Sequence, residues 1–172
     1  MKTYPKNKQH FKKLIPFAKE ILLICKNNKI PTVIYGSFAH FYHTKDRNMK
    51  VNDIDIMVPR RGLKKLIKLL EKNKIKFIRC SSEDYSIIIK KGKLKLELDE
   101  PGVGYKEIKE KTLFRRQGHD KIDFYGVEAS LLTLKDLEEM YPIAYNRSKD
   151  DKARILKKIK HLERFLGRRL EC

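Results

Sequence analysis

The segment from Val51 to Val58 constrains the fold more than any other part of the chain. It contains the run Asn-Asp-Ile-Asp-Ile, in which acidic and apolar residues alternate, and Pro59 ends it. Side chains two residues apart on a β-strand share a face, so Asp53 and Asp55 project together while the isoleucines point the other way. Two adjacent carboxylates repel one another unless a cation lies between them. The segment therefore predicts a strand with one buried apolar face and one polar, cation-binding face.

A second motif lies just before this strand. The β-branched segment Thr32-Val33-Ile34-Tyr35 runs directly into Gly36-Ser37. Glycine allows close approach to the backbone, and a helix with Ser37 near its N-cap presents N–H groups and a hydroxyl to a phosphate. Two carboxylates beside such a turn are ligands that Mg²⁺ uses when it also holds substrate phosphates. Alone, each motif is more often a solvated acid pair or an ordinary turn; together they predict a metal–phosphate site.

Hydrophobic periodicity places the remaining elements. Helices are predicted at residues 8–28, 37–43, 62–74 and from 134 to the end, the last broken near Pro142 and residues 146–148. Strands are predicted at residues 32–35, 51–58, 76–80, 85–90, 93–99 and 121–127. The order predicts an α+β fold (a mixed α/β arrangement) with a largely consecutive sheet, flanking helices and a helical C-terminal tail. The 172 residues suit one compact unit, with a core at 1–130 and a helical extension at 131–172 packed on it.

The order strand, Gly-Ser, short helix, loop and hydrophobic-Asp-hydrophobic-Asp-hydrophobic resembles the signature of the polymerase-β-like nucleotidyltransferase superfamily. The run Asn-Asp-Ile-Asp-Ile is similar to that of AbiEii-type and lincosamide-type small nucleotidyltransferases. The resemblance implies a nucleotidyltransferase-like mixed sheet and transfer of a nucleoside monophosphate from an NTP such as ATP, with release of pyrophosphate. It also implies two Mg²⁺ ions bound by Asp53 and Asp55, with Gly36 and Ser37 at the terminal phosphates.

The resemblance further implies a third carboxylate on a neighbouring strand. The alternating segment Lys93–Asp99 offers Glu97 and Asp99 on one face, with leucines on the other. Glu97 is the predicted residue and Asp99 the alternative. This acid would bind one of the ions, and would orient the acceptor hydroxyl or take its proton. The predicted catalytic and metal-binding residues are therefore Asp53, Asp55 and Glu97.

A weaker similarity lies in the C-terminal part of the chain. Gly126–Leu131 and the later Arg147-Ser148-Lys149-Asp150 resemble the leucine-rich helix and the Arg-x-Lys-Asp ending of AbiEii-like proteins. The similarity implies that this helical part packs beside the active site and that Lys149 approaches the triphosphate. The alternative is that Arg147 and Lys149 are solvated charges at the start of a helix.

Charge and cysteine content suggest the partners and the compartment. The 41 lysines and arginines outnumber the 22 acidic residues and give a net charge of +19, which attracts polyanions. RNA is therefore the favoured acceptor. The alternatives are a partner protein, as for antitoxin-type enzymes, and a basic nucleic-acid-binding module whose nucleotidyltransferase site has decayed. Three distant cysteines, a polar N-terminus and the lack of a bilayer-length apolar run predict a cytoplasmic protein without a membrane partner.

Overall fold

The computed structural model describes residues 3–80, 86–101, 119–148 and 150–170. Within these residues it has five helices and seven strands. The helices are α1 (Lys8–Asn27), α2 (Gly36–Thr44), α3 (Arg60–Lys72), α4 (Leu134–Arg147) and α5 (Lys152–Leu166). The strands are β1 (Val33–Tyr35), β2 (Asp53–Met57), β3 (Phe77–Arg79), β4 (Ser86–Lys91), β5 (Leu94–Asp99), β6 (Asp120–Asp123) and β7 (Glu128–Leu131). None of these helices combines the length and the apolar composition needed to cross a bilayer.

The strands form one mixed sheet in the order β3-β4-β5-β2-β1-β7-β6. Four neighbouring pairs are antiparallel and join strands that follow one another along the chain. The other two pairs, β2 with β5 and β1 with β7, are parallel and join strands far apart in sequence. The mixed α/β fold class is thus confirmed, and the predicted consecutive order holds for the four antiparallel pairs but not for the two parallel ones. The division at residue 130 stays a prediction.

One face of the central strands is apolar and forms the core. Ile54 and Ile56 on β2 are fully buried, as are Leu96 and Leu98 on β5. The helix α1 packs against both strands, and its apolar stripe joins the same core cluster as that of α3. This alternation is the reason the short strands are stable, because each apolar side chain removed from water contributes about 1.5–3 kcal/mol.

The opposite face of the same strands is polar and is covered by the two C-terminal helices. A cavity of about 540 Å³ lies between them, lined by Asp55 and Glu97 from the sheet, by Tyr141 from α4 and by Lys158 from α5. The helices α4 and α5 pack against each other, and α2 contacts α4. The fold therefore places a partly enclosed cavity directly over the acidic side chains.

Two predicted elements near the C-terminus are wrong. The helix α4 does not break at Pro142 but continues to Arg147. A capping box between Thr133 and Asp136 starts the helix, and the buried Tyr141 and Ala144 pack on both sides of the proline, so tertiary packing outweighs the one lost backbone hydrogen bond.

The second error concerns residues 121–131, where the sequence suggested one strand followed by a helix. The structure has the hairpin β6–β7 instead. Tyr125 and Gly126 adopt positive φ angles, and the Gly126 N–H donates to the Asp123 carboxylate at 2.5 Å, which turns the chain back. β7 then pairs with β1, so the segment compared with a leucine-rich helix is a strand inside the sheet.

Candidate active site

The three predicted acids lie side by side because of the pairing of β2 with β5. In this parallel pair, Asp53 is opposite Lys95 and Asp55 is opposite Glu97. The alternation of each strand then directs these four side chains to the polar face. Ligand oxygens of Asp53, Asp55 and Glu97 all lie within 4.8 Å of one another. We call these three carboxylates the acidic cluster.

Asp55 carries the most perturbed carboxylate of the acidic cluster. Burial, and then the neighbouring charge of Asp53, raise the pKa of Asp55 to about 7. A carboxylate held in this way gains free energy when a cation approaches, because the cation relieves both the desolvation and the repulsion. Perturbed acids of this kind in a cavity are characteristic of functional sites.

The acidic cluster fits a divalent cation. Mg²⁺ binds oxygens at about 2.1 Å, so two of its ligands are at most about 4.2 Å apart, and small side-chain rotations bring the three carboxylates to that spacing. Part of the negative charge is balanced by Lys95, whose Nζ lies 3.0 Å from Asp53 Oδ2 and 2.8 Å from Glu97 Oε2. Three carboxylates with a single ammonium leave the cluster with a net negative charge, which a hard cation would neutralise.

Asp99, the alternative third acid, occupies a different environment. It is opposite Met57, one strand repeat beyond Glu97, and its Oδ2 accepts a hydrogen bond of 2.5 Å from the Tyr35 hydroxyl. Burial raises the pKa of Asp99, while hydrogen bonds from Ser86 and Tyr35 act in the opposite direction. The structure thus brings Glu97 into the acidic cluster and gives Asp99 two partners of its own. The catalytic role of Glu97 stays a prediction.

The position of Gly36 beside Asp55 requires a glycine. Its φ of +66° is in the left-handed region, and a Cβ on it would lie 2.8 Å from Asp55 Cγ and closer still to Oδ2. Only glycine therefore lets β1 turn into α2 against the acidic cluster. The helix begins at Gly36 with Tyr35 as its N-cap, so Ser37 is the second helical residue and not the cap.

Lys158 is a site residue that the sequence reading did not single out. Its Nζ donates a hydrogen bond of 3.3 Å to Ser37 Oγ and lies 5.6 Å from the centre of the Tyr141 ring. Burial lowers the pKa of Lys158, and the charge of Asp55 acts against this. A sequence signal was present, because Lys158 falls on the helical stripe of α5 that contains the buried Ile159 and Leu162.

A chain of hydrogen bonds holds α5 in this position. His161 Nε2 lies 2.8 Å from Asp46 Oδ2, His161 Nδ1 lies 2.8 Å from His40 Nε2, and His40 Nδ1 lies 3.1 Å from the Tyr141 hydroxyl. Burial, and then the neighbouring His161, lower the pKa of the fully buried His40 to about 3, so His40 is neutral. We call these four residues the histidine chain.

With His40 neutral, the ring nitrogens can be assigned so that every link of the histidine chain is a hydrogen bond. In one such assignment, the Asp46 carboxylate accepts from Nε2–H of His161. Nδ1 of His161 then accepts from Nε2–H of His40, and Nδ1 of His40 accepts from the Tyr141 hydroxyl. The histidine chain joins α2, α4, α5 and the loop after α2, and it lies one helical turn from Lys158. It therefore fixes the position from which Lys158 reaches Ser37.

Lys149, predicted at the triphosphate, lies outside the described residues. Of the other predicted site residues, Gly36, Ser37, Asp53, Asp55 and Glu97 all line the one cavity. Arg154, which the sequence reading did not name, lies on its rim and pairs with Asp151 at 2.7 Å.

Comparison with solved structures shows the fold of the chain. An antigenic nucleotidyltransferase-like protein from Paracoccidioides brasiliensis matches with a TM-score of 0.59 at 16% identity, over 88% of this chain and 75% of that protein. ANT(2″)-Ia in complex with adenylyl-2″-tobramycin matches with a TM-score of 0.59 at 14% identity, over 89% of each chain. A candidate nucleotidyltransferase from Thermotoga maritima matches with a TM-score of 0.55 at 16% identity, over 91% of this chain and 94% of that one.

No family model matches the chain, and no curated protein matches it either. The similarity is therefore one of three-dimensional structure at low identity. It confirms the nucleotidyltransferase-like fold that the Gly-Ser and Asp-x-Asp motifs indicated.

Proposed function

We propose that the protein is a cytoplasmic, Mg²⁺-dependent nucleotidyltransferase that transfers a nucleoside monophosphate from an NTP to an acceptor hydroxyl. The observation that carries the proposal is the convergence of three carboxylates, the Gly36–Ser37 turn and Lys158 in one cavity. The carboxylates thus lie on one side of the cavity, and the Lys158 ammonium and the hydrogen-bond donors of the Gly36–Ser37 turn lie on the other. A triphosphate with bound metal has the complementary distribution.

The donor side of the cavity is suited to the terminal phosphates. Ser37 lies in the first turn of α2, where backbone N–H groups have no partner within the helix, and its hydroxyl already contacts Lys158. Lys158 supplies a positive charge, and the attraction between this charge and a phosphate is stronger in a partly enclosed cavity than in bulk water. Both groups would hold the pyrophosphate portion and stabilise the charge that develops on it as the α-phosphorus is attacked.

The acidic side is suited to the reacting hydroxyl. A bound Mg²⁺ would supply Lewis-acid stabilisation of the phosphoryl oxygens. Asp53 and Asp55 would hold it, because they belong to the same strand face and Asp55 lies against Gly36. Glu97 would orient the acceptor hydroxyl and accept its proton as the oxygen attacks the α-phosphorus in line, and the bond to the departing pyrophosphate breaks as the new bond forms. Lys149 stays a predicted additional ligand of the triphosphate.

RNA is the acceptor that the charge distribution favours. While Lys158 points into the cavity, the outward side of α5 exposes a basic surface, the α5 basic face. It consists of Lys157, Lys160, Arg164, Arg168 and Arg169. This surface begins at Lys157, next to the cavity-lining Lys158, and continues past the end of α5 at Leu166. A polyanion bound along it would displace counterions and would have one end near the acidic cluster.

Incubation of the purified protein with α-labelled NTPs, Mg²⁺ and total RNA tests the proposal. We expect label in RNA with the wild-type protein and with Lys157→Met, and little label with Lys158→Met. The two lysines are adjacent, but only Lys158 faces the cavity. Parallel reactions contain tobramycin, as suggested by the adenylylated ligand of ANT(2″)-Ia, or protein that co-purifies with the chain. Label in one of these instead of RNA would change the acceptor, whereas no label in any reaction would favour a nucleic-acid-binding module with a decayed site.

Salt dependence tests the acceptor separately. A site that engages about six phosphates loses on the order of 10³ in affinity between 50 and 200 mM salt. Replacing Lys157, Lys160 and Arg164 together by glutamate should weaken RNA binding and flatten this dependence, while labelling of a small acceptor is unaffected. Binding that is insensitive to both salt and the triple substitution would contradict the RNA preference and leave the transfer reaction itself untouched.

A further inference from the structure

Lys95 lies in the acidic cluster and has no role in the reaction as described so far. Its ammonium contacts one oxygen of Asp53 at 3.0 Å and one oxygen of Glu97 at 2.8 Å, and about one third of its side chain is exposed. The ammonium thus lies between an acid of β2 and an acid of β5. This is also where a metal ion shared by Asp53 and Glu97 would have to bind.

The position of Lys95 follows from the register of the sheet. Lys95 is two residues before Glu97 on β5 and directly opposite Asp53 on β2, so both contacts are between nearest neighbours on one face. Neither contact depends on a long reach across solvent. An ammonium in direct contact with two carboxylates is favoured in its charged form, so Lys95 is a built-in cation of the acidic cluster.

A second divalent ion and the Lys95 ammonium compete for the same place. The two-ion arrangement needs Asp53 and Asp55 to share both ions and Glu97 to bind one of them. The ion bound by Glu97 would have to share with Lys95 the oxygens that the ammonium already engages. At a separation of about 4 Å, a unit positive charge and a divalent ion repel each other strongly even at a high effective dielectric constant.

We propose that Lys95 replaces one of the two metal ions, so that the acidic cluster holds a single divalent ion between Asp53 and Asp55. The inference rests on the proposed nucleotidyltransferase function. Lys95 neutralises the Glu97 oxygen that it contacts, and the other Glu97 oxygen stays available to the acceptor hydroxyl. Lys95 is thus a positioning residue for Glu97 as well as a determinant of the metal content.

Titration of the full chain with Mn²⁺, followed by the electron paramagnetic resonance signal of free Mn²⁺, tests this. We expect one bound ion per chain for the wild type. Lys95→Met should bind two, with an affinity for the second ion at least about tenfold higher than in the wild type. Lys95→Arg, which keeps the charge, should again bind one. Lys90→Met is the matched control, because Lys90 is opposite Lys95 on the exposed end of β4 and loses the same charge without a contact to the acidic cluster.

A second measurement follows the ammonium itself. In ¹⁵N spectra of lysine side chains, the Lys95 signal, assigned by its absence in Lys95→Met, should persist when the wild-type protein is saturated with Mg²⁺. Loss or exchange of this signal, binding of two Mn²⁺ ions by the wild type, or identical metal content in wild type and Lys95→Met would each overturn the inference.

These outcomes are distinguishable from failure of the proposed function. Two bound ions together with Mg²⁺-dependent transfer would refute the role of Lys95 and leave the nucleotidyltransferase reaction in place. One bound ion, with the ammonium retained but no transfer to any acceptor, would refute the reaction alone. A wild-type protein that binds no Mn²⁺ would overturn both.

Discussion

Two polar groups of residues lie under the C-terminal helices, and they differ in whether their members satisfy one another. In the histidine chain, every donor has an acceptor, from the Tyr141 hydroxyl through His40 and His161 to Asp46. In the acidic cluster, three carboxyl groups are crowded together, and the contacts of Lys95 reach only two of them. The first arrangement is complete without any ligand, whereas a cation from outside would further stabilise the second.

This difference distinguishes polar residues that stabilise the fold from polar residues that serve the reaction. Buried polar groups that pair with each other rigidify a fold, and removing one leaves its partner unsatisfied at a cost in stability. Buried groups of like charge cost stability while they are present, so removing one should spare the fold and abolish the chemistry.

Asp55→Asn should separate activity from stability most clearly. We expect NMP transfer to fall by at least about 10³-fold, because a charge that acts on the transition state is lost. Urea unfolding of the metal-free variant at pH 8 should show no loss of stability, since the repulsion within the acidic cluster is reduced. Transfer within tenfold of the wild type, or a variant that fails to fold, would contradict the assignment of Asp55 to the acidic cluster.

Gly36→Ala should damage the site more than the fold. The new Cβ would displace the Asp55 carboxylate, and a displacement of about 1 Å at a reacting centre can cost about 10²-fold in rate. The control is Gly92→Ala, which has a similar φ of +61° but nothing within 4 Å of the new Cβ. Both variants should lose about 1–2 kcal/mol of stability because of the left-handed backbone. Equal activities for the two would show that the contact with Asp55 has no catalytic consequence.

Lys158→Met tests the residue that connects the two polar groups. We expect the KM for the NTP to rise about tenfold or more, because a hydrogen bond between charged groups is worth about 1.5–3 kcal/mol. Lys157→Met, its outward-facing neighbour, should leave the KM unchanged. A change in the KM for the acceptor alone would indicate that Lys158 contacts the acceptor and not the NTP.

His161→Ala should have the opposite signature to Asp55→Asn. It removes the central link of the histidine chain and leaves His40 and Asp46 without that partner, so we expect a loss of about 1–3 kcal/mol in the free energy of unfolding. Lys160→Ala, exposed on the same helix, is the control. A stability change below about 0.5 kcal/mol, the range of ordinary surface substitutions, would show that the histidine chain is not a structural element.

The pH dependence of stability should distinguish the two groups by sign. The pKa of Asp55 is about 7 in the folded protein and 3.8 ordinarily, so between these values the folded state keeps a proton that the unfolded chain has released. The stability that this proton contributes is lost as the pH rises from about 4 to 7. For His40 the folded pKa is about 3 against 6.5, so stability is lost as the pH falls through that range.

The contributions of Asp55 and His40 to the pH dependence of stability have opposite signs in the metal-free wild type. Asp55→Asn removes the first contribution, so the stability of this variant should show the contribution of His40. In thermal unfolding with a chelator, this variant should exceed the wild type in Tm at pH 8 and approach it near pH 4. Glu128→Gln, at an exposed carboxylate, should follow the wild type throughout. A constant difference in Tm between Asp55→Asn and wild type at all pH values would contradict the raised pKa of Asp55.

Local patterns were sufficient to predict the central strands. The alternation in residues 53–56 and 94–99 predicted both their strand character and the shared face of Asp53 and Asp55, because period 2 is a property of a single strand. The sequence ranks Glu97 before Asp99, but the distance of each from Asp53 and Asp55 follows from the parallel register of β2 and β5, which no local pattern contains. The role of Lys95 was missed for the same reason.

Features that depend on distant parts of the chain were missed or mistaken. His40 and His161 are 121 residues apart and meet only because α5 folds back over α2. The hairpin at Tyr125–Gly126 was read as a continuous strand, since a turn at a non-glycine residue with positive φ has a weak sequence signal. The predicted break of α4 at Pro142 is wrong because helix propensity does not include the packing of Tyr141 and Ala144, which overrides it.

The parallel pairing of β2 with β5 has a consequence for how the chain can change length. Glu97 is located by its hydrogen-bonded partner strand and not by its distance along the chain from Asp55. Insertions or deletions in the segments that join α3, β3 and β4 can therefore accumulate without moving the site, whereas a shift within β4 would exchange its own two faces. A one-residue insertion or deletion that shifts β5 itself would replace Glu97 by a leucine on the polar face and place a charge in the core. Length variation should thus be tolerated between the elements from α3 to β4 and excluded from the six residues of β5.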